Sequence, residues 1–170
     1  LIGDMAHMSF SARDLARASE IYDMMLKDKN CTVFLTLAGS TSAAGCMQIY
    51  VDLVKNNMVD AIITTGASIA DMDFFEALGN KHYKGSSYAN DTELRENLVD
   101  RIYDTYIDEI ELQKSDLTIS EIADGLEKKT YAPWKFINEM GKWLSQNPRR
   151  AKKKDSLLQV AYEHGVPIFC

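Results

Sequence analysis

Apolar residues cluster twice in the first half of the chain, at positions 31–37 and 59–65, and small polar residues follow each cluster. Both clusters are rich in Val, Ile, Phe and Thr, a composition typical of strands buried on both faces. Beyond each cluster the apolar residues recur every three or four positions, which is the period of a helix. The order strand, helix, strand, helix predicts an α/β fold: a Rossmann-like parallel sheet flanked by helices and joined by right-handed crossovers.

The sequence predicts three helices in this half of the chain. The first spans residues 11–27, where Ser11 and Asp14 are spaced like a capping box. The second follows the first strand after a small-residue turn, and the third is short, over about residues 69–78. The apolar stripes of the first two are Leu15, Ala18, Tyr22 and Met25, and then Ala44, Met47, Val51, Val54 and Met58.

The second half of the chain is less regular. Residues 79–90 are polar and contain glycine, which predicts a long loop, and residues 101–107 are predicted to form a strand. Thr118 and Glu121 have the spacing of a helix start, and Pro133 favours the start of another helix. The apolar residues assigned to these two helices are Ile122, Leu126, Phe136, Ile137, Met140 and Leu144.

The last five residues of the sequence, positions 166–170, read as a buried strand. They follow a helix predicted to end at Gly165, with Pro167 just beyond. An apolar strand of this kind needs neighbours in a sheet. We therefore expect residues 1–170 to be the front half of a single larger domain, with the C-terminal half absent or carried by another chain. We expect the piece alone to be unstable and inactive.

Composition narrows the function classes. The hydrophobic share of 46% supports a real core, and no apolar run approaches the 18 or so residues of a membrane span. The formal charge of −6 disfavours nucleic-acid binding and suits a cationic substrate or partner. Three cysteines without paired spacing favour a reducing, cytoplasmic location. The basic run 149–154 lacks interleaved aromatic residues and is interpreted as a solvated loop.

Two turns are candidate binding sites. The first, Gly39 to Gly45, lies between a predicted strand and a helix, where backbone amides can meet a phosphate. Its spacing matches neither GxGxxG nor the P-loop, so a nucleotide site and a merely tight turn both remain open. The second turn, Thr64-Thr65-Gly66-Ala67-Ser68, falls at the carboxyl end of the other predicted strand. Carboxyl ends of parallel strands form the edge where open α/β sheets bind ligands.

Two titratable residues, Asp71 and His82, follow the second turn in the sequence. Asp71 could accept hydrogen bonds from a ribose or a cationic amine, or simply favour a helix N-terminus. His82, in the predicted polar loop, is interpreted as an exposed or loop-packing histidine rather than a catalytic base. His7 and His164 have no Cys or acidic neighbours at ligand spacing, so no metal site is predicted.

Several separate segments, in this order, resemble the deoxyhypusine synthase family and in particular its bacterial and archaeal deoxyhypusine-synthase-like branch. The resemblance covers essentially the whole chain and stops about midway along a typical family member. The segments are FSARDL at 10–15, CTVFLTLAG at 31–39, NMVD at 57–60, TTGA at 64–67, FEALG at 75–79, HYxG at 82–85, ELREN at 93–97, RIYD at 101–104 and VPIFC at 166–170.

The resemblance implies a Rossmann-like transferase that works as a homotetramer with active sites at subunit interfaces. It would use NAD to oxidise spermidine and would hold the released butylamine group as an imine on a lysine. The acceptor would be a lysine of translation initiation factor 5A or, in some bacterial relatives, putrescine, which gives homospermidine. Some family members are non-catalytic paralogues that activate another subunit, and that reading stays open.

The family's site residues carry over onto positions of this chain. The turn Ala38-Gly39-Ser40 and the segment Thr65-Gly66-Ala67 fall on NAD-contacting positions, and Asp71 falls on a position that contacts ribose or substrate. Two departures stand out: Ala70-Asp71 replaces two adjacent glutamates, and Ala38-Gly39-Ser40 replaces Thr-Ser-Asn of eukaryotic members. The catalytic lysine of the family lies beyond Cys170, so no lysine here is nominated.

Overall fold

In a computed structural model, which describes residues 1–148, 150–151 and 155–170, the chain divides into two compact units, Leu1–Phe34 and Leu35–Cys170. The first unit holds a short 3₁₀ helix, Gly3–His7, and helix α1, Ser11–Lys27. The predicted bounds of α1 are confirmed.

The predicted start and face of α1 are partly wrong. Phe10 is the residue before the helix, with φ of 57°, and no side chain caps the helix among the described residues. Ser11 is already the first helical residue, so its hydroxyl cannot act as an N-cap. Ala16 is the buried residue of α1, whereas Leu15 and Ala18 are exposed. Within its own unit α1 packs against the short 3₁₀ helix, which is too small to cover a whole apolar stripe.

The second unit contains the parallel sheet, whose first strand begins at the boundary residue Phe34. Its strands are β1 (Phe34–Thr36), β2 (Ala61–Ile63) and β6 (Ile168–Phe169), in the order β1-β2-β6. In the register of the parallel pair β2 and β6, Ile62 lies beside Ile168 and Ile63 beside Phe169. The predicted α/β class with a parallel sheet flanked by helices is confirmed.

The two faces of this sheet differ in burial. Ile62 and Ile168 are buried at 0% and 3% exposure, whereas Ile63 and Phe34 remain 44% and 55% exposed. The prediction that residues 31–37 are buried on both faces is therefore wrong. Strand β1 lies at a sheet edge, and its side chains alternate between the covered face and solvent.

Helices follow both strands of the first half. Residues Ser42–Cys46 form a π-helical turn that continues into α2, Met47–Lys55. Met47, Val51 and Val54 are buried as predicted, while Ala44 is exposed because it lies in the turn before α2.

After β2 the chain is helical from residue 66 to residue 77, a segment that we call the 66–77 run. Its parts are α3 (Gly66–Ser68), a π-helical turn (Ile69–Phe74) and α4 (Phe75–Ala77). The helix predicted over about residues 69–78 is present but starts three residues earlier.

A second, antiparallel sheet corrects two predictions. Its strands are β3 (Tyr83–Lys84), β4 (Val99–Ile102) and β5 (Thr105–Asp108), in the order β3-β5-β4. Residues 79–90, predicted as a loop, therefore contain a strand. The single strand predicted over 101–107 is two strands, because Tyr103, with φ of 55°, and Asp104 form a tight turn between them.

Helix α5 (Asp91–Glu96) precedes β4, and helix α6 (Glu109–Asp124) follows β5. The predicted helix start at Thr118 is wrong. The α6 N-cap is Asp108, whose carboxylate accepts hydrogen bonds from the amides of Ile110 and Glu111. Thr118 lies inside the helix, and its hydroxyl donates to the Lys114 carbonyl at 3.0 Å.

Helices α7 (Pro133–Gln146) and α8 (Leu157–His164) pack closely and lead into β6. The predicted start at Pro133, the end of α8 before left-handed Gly165, and the strand near the C-terminus are confirmed. Of the basic run 149–154, residues 149 and 152–154 lie outside the described residues.

Candidate functional site

The two predicted turns meet at the carboxyl ends of β1 and β2. The Leu37 amide donates to the Ile63 carbonyl at 2.8 Å, which holds the two strand ends side by side. Beyond the strands, the Ser68 hydroxyl donates to the Gly39 carbonyl at 2.7 Å, and the Ser42 hydroxyl donates to the Ser68 carbonyl at 3.4 Å. Residues 38–45 and 64–68 therefore form one region, which we call the paired turns.

The first of the paired turns is open where a ligand would approach. Gly39 has φ of 64°, a left-handed conformation that favours glycine, and a Cβ built there would meet nothing within 4 Å. The turn then enters the π-helical segment at Ser42. Thr41 is tied to α2, since its Oγ1 lies 2.8 Å from the Tyr50 hydroxyl. The backbone at residues 39–40 is therefore accessible and anchored from both sides.

The second of the paired turns presents the start of the 66–77 run. Thr65 is extended, and within the described part of the chain its side chain makes no capping hydrogen bond. The first amides of a helix have no partner inside the helix, so Gly66 and Ala67 offer N–H groups at this edge. Thr64 is only 8% exposed, and its hydroxyl has no hydrogen-bond partner among the described residues. A buried hydroxyl of that kind suits a site completed by a bound molecule.

Asp71 lies on the same run, partly buried. Burial raises the pKa of its carboxyl, and the negative charge of Asp116 raises the pKa further. Asp116 belongs to α6 and was not predicted to be near the site. Two carboxylates that repel each other in a partly desolvated position are stabilised by an approaching cation.

Asp73, two residues further on, has a structural role. It is fully buried, and its carboxylate accepts hydrogen bonds from the amides of Leu157 at 2.9 Å and Leu158 at 2.8 Å. Ser156 caps the same end of α8 by accepting from the Gln159 amide. Asp73 therefore joins the 66–77 run to the N-terminus of α8.

His82 is packed rather than solvent-facing. Its Nδ1 lies 2.9 Å from a Glu76 carboxylate oxygen, and its Nε2 lies 3.0 Å from the Met72 sulfur. The ring lies 5.3 Å from the Phe75 ring, centroid to centroid. These contacts agree with the interpretation of His82 as a loop-packing histidine.

A cavity of about 470 Å³ lies between α5, β4 and α6, away from the paired turns. Among its lining residues, Asp100 is hydrogen-bonded to Glu109, which raises the pKa of Asp100 to about 6. Arg101 in the same wall forms a bidentate pair with Asp91, at 2.7 and 3.0 Å.

No group of three or more His, Cys, Asp or Glu in the described part of the chain is arranged to hold a metal ion. No helix among the described residues is both long and apolar enough to cross a membrane.

Comparison with known proteins identifies the family. The profile of the family described as deoxyhypusine synthase matches residues 1–170, the whole chain. The chain belongs to the deoxyhypusine synthase family.

Relatives in this family come from bacteria and archaea. The chain is 60% identical over 170 residues to a deoxyhypusine synthase-like protein of Coxiella burnetii, which covers 100% of this chain and 48% of the relative. A protein of the same name from Caulobacter vibrioides is 59% identical, with 100% and 46% covered. A protein named "Probable deoxyhypusine synthase 2" from Methanosarcina acetivorans is 39% identical over 169 residues, with 99% and 48% covered. The chain thus spans about half the length of these relatives.

The fold agrees with a solved structure of the family. A crystal structure of a protein assigned as a deoxyhypusine synthase from Entamoeba histolytica superposes with a TM-score of 0.67 at 20% identity, over 100% of this chain and 56% of that chain. At this identity the likeness concerns the fold alone. The roles assigned to Gly39, Ser40, Thr65–Ala67 and Asp71 stay predictions. The paired turns support them by bringing the first two groups of residues to one edge, and Asp71 lies on the helical run that follows.

Proposed function

We propose that the full-length protein transfers an aminobutyl group from spermidine in an NAD-dependent reaction, and that the paired turns hold the NAD. The observation that carries this proposal is the joining of two small-residue turns at the carboxyl edge of the parallel sheet, with Asp71 on the adjoining run. Membership of the deoxyhypusine synthase family supplies the class of reaction.

The residues of the paired turns fit a dinucleotide. Gly39 and Gly66 leave open space that any side chain would begin to fill. The amides of Ser40, Gly66 and Ala67 suit phosphate oxygens, as at other helix N-termini in such folds. The Thr64 hydroxyl, which has no hydrogen-bond partner among the described residues, would provide a further polar contact. NAD, when bound, supplies the hydride acceptor for oxidation of the amine.

The carboxylates of this chain suit a polyamine. Asp71 would accept a hydrogen bond from a ribose hydroxyl or from an ammonium group, and Asp116 adds a second negative charge beside it. That second charge is notable because Ala70 replaces one glutamate of the eukaryotic pair. A formal charge of −6 for the chain also favours the approach of a polycation.

The remaining parts of the proposal concern the longer protein. We propose that this chain is the front half of one NAD-binding domain, and that the imine-forming lysine lies in the half that the relatives have in addition. The working assembly is a homotetramer, or an assembly with a chain that carries the second half, and it acts in the cytoplasm. The acceptor is a lysine of translation initiation factor 5A or, alternatively, putrescine.

The test uses the full-length protein. Calorimetric titration with NAD should give saturable binding, and spermidine should then produce NADH absorbance at 340 nm. Supplying initiation factor 5A and putrescine in separate assays, with labelled spermidine, identifies the acceptor. Asp71→Ala should weaken both NAD and spermidine, and unchanged affinities in this variant would remove Asp71 from the site.

A second candidate function is a non-catalytic paralogous subunit that activates another chain. The absence of the second acidic residue at Ala70 favours it, and the bacterial relatives carry the name "synthase-like". Absence of spermidine-dependent NADH formation by the protein alone, with activity restored or raised on mixing with an active family member, would support this function over the enzyme.

A further inference from the structure

The hydrogen bonds of Ser68 determine the direction of a peptide group in the paired turns. Ser68 is 1% exposed, and its hydroxyl donates at 2.7 Å to the carbonyl of Gly39, which lies 29 residues earlier in the chain. Ser42, 4% exposed, donates to the Ser68 carbonyl in return, at 3.4 Å. The backbone of each turn is thus held by a buried hydroxyl of the other.

The planarity of the peptide bond links this contact to the Ser40 amide. The Gly39 carbonyl and the Ser40 N–H belong to one trans peptide unit, so they point in opposite directions. When Ser68 holds the carbonyl, the Ser40 N–H is directed away from Ser68. Gly39 has few steric limits on its dihedral angles, so without this bond the peptide could rotate at little cost.

We infer that Ser68 is a positioning residue, whose hydroxyl fixes the Gly39–Ser40 peptide so that the Ser40 N–H is aimed at the dinucleotide. This inference rests on the proposed function, because it assigns the aimed amide to NAD. From the sequence alone, Ser68 is only the last residue of a small polar turn. Its role follows from a contact between two turns that are distant in the chain.

The chain offers a matched control in Ser115. This serine is also fully buried, and its hydroxyl also donates to a backbone carbonyl, that of Glu111 at 3.0 Å within helix α6, while it accepts from the Asn80 side-chain amide at 3.2 Å. Ser68→Ala and Ser115→Ala therefore each remove one buried hydroxyl from a carbonyl partner. Only the first removes it from the paired turns.

The experiment measures two quantities on the full-length protein: the NAD dissociation constant by calorimetry, and the hydrogen-exchange rate of the Ser40 amide without NAD. A single hydrogen bond of ordinary strength corresponds to a change of roughly three- to tenfold in an equilibrium constant. Ser68→Ala should raise the NAD dissociation constant by roughly three- to tenfold and should change the hydrogen-exchange rate of the Ser40 amide. Ser115→Ala should leave both within about twofold, because its partners, Glu111 and Asn80, lie outside the paired turns. Ser68→Cys, which leaves no cavity and keeps a weak S–H donor, should give an intermediate loss and serves if the alanine variant folds poorly.

The outcomes separate this inference from the proposed function. Wild-type protein that binds no NAD overturns both, whereas wild-type binding with equal affinity in Ser68→Ala overturns the inference alone. Equal weakening by Ser68→Ala and Ser115→Ala would show that only general stability is involved, and would also overturn it.

Discussion

The 66–77 run carries two aspartates on opposite faces, and their surroundings differ in kind. Asp73 is fully buried and accepts two amide hydrogen bonds from the start of α8. Asp71 is partly exposed and lies near the carboxylate of Asp116 on α6. Asp73 is therefore turned to the start of α8, whereas Asp71 is turned to Asp116 on α6.

The difference shows how neighbouring residues of one type acquire separate roles. A carboxylate that accepts amide hydrogen bonds at a helix N-terminus has its charge compensated and stabilises the fold. A carboxylate beside another carboxylate is destabilised until a cation arrives. The partners, and not the local sequence, therefore determine which aspartate is structural and which is available to a ligand.

The largest expected effect is loss of the Asp73 carboxylate. Asp73→Ala leaves the Leu157 and Leu158 amides without this acceptor, and we expect a loss of about 2–4 kcal/mol in the free energy of unfolding. Urea denaturation of the full-length protein measures it. Asp71→Ala is the matched control, and an equally large loss there would contradict the distinction between the two faces.

The contact between α7 and α8 should not tolerate an added side chain without a loss of stability. A Cβ at Gly141 of α7 would lie 2.2 Å from the Leu158 carbonyl oxygen, which is backbone and cannot simply turn away. Gly141→Ala should destabilise the protein by about 1–3 kcal/mol despite the helix preference for alanine. Thermal unfolding checks this, with Gly125→Ala as control, because a Cβ there would have its nearest contact at 3.4 Å. A neutral Gly141→Ala would show that α7 and α8 can move apart.

A smaller effect is expected from the pH dependence of Asp71. Its pKa is raised in the folded protein by burial and by Asp116, so the folded state holds the proton more tightly than the unfolded chain. The associated stability is present below the ordinary aspartate pKa of about 4 and is lost as pH rises through the raised value. Asp71→Asn removes this loss of stability. As pH rises, the free energy of unfolding of the variant should therefore increase relative to that of wild type, by under about 1 kcal/mol because solvent screens the site. Unfolding curves at several pH values test the sign.

The smallest effect concerns Asp116. Its charge is the second cause of the raised Asp71 pKa, after burial. Asp116→Asn should therefore lower the Asp71 pKa without returning it to the ordinary range. Carboxyl-carbon NMR titration measures the change, and an unaltered Asp71 pKa would show that the two carboxylates do not interact.

The elements predicted well from the sequence are those with strong periodicity or clear end signals. Helix α1 has apolar spacing, α7 has apolar spacing and Pro133 at its start, and α8 ends before Gly165. These signals depend only on neighbours in the chain. The start of α6 was wrong although a signal existed, since Asp108 and Glu111 have capping spacing ten residues before Thr118 and Glu121. Asp108 becomes recognisable as the helix start only once the tight turn at Tyr103 is known to divide residues 99–108 into two strands.

The candidate site was predictable in part. The two turns follow from small residues placed after apolar clusters, and their shared edge follows from the parallel order of the strands. Three contacts do not follow from the spacing of residues in the sequence. They are the hydrogen bond from Ser68 to Gly39, the proximity of Asp116 to Asp71, and the hydrogen bonds between Asp73 and the start of α8. Each depends on how distant segments pack, which a single sequence does not reveal.

Binding of NAD by the paired turns can be seen in a crystal structure of the full-length protein grown with NAD. We expect the dinucleotide within hydrogen-bond distance of the backbone at residues 39–40 and 65–67, with the Asp71 carboxylate near a ribose or a bound amine. NAD bound elsewhere, for example in the cavity beside Asp100 and Arg101, with the paired turns untouched, would contradict it.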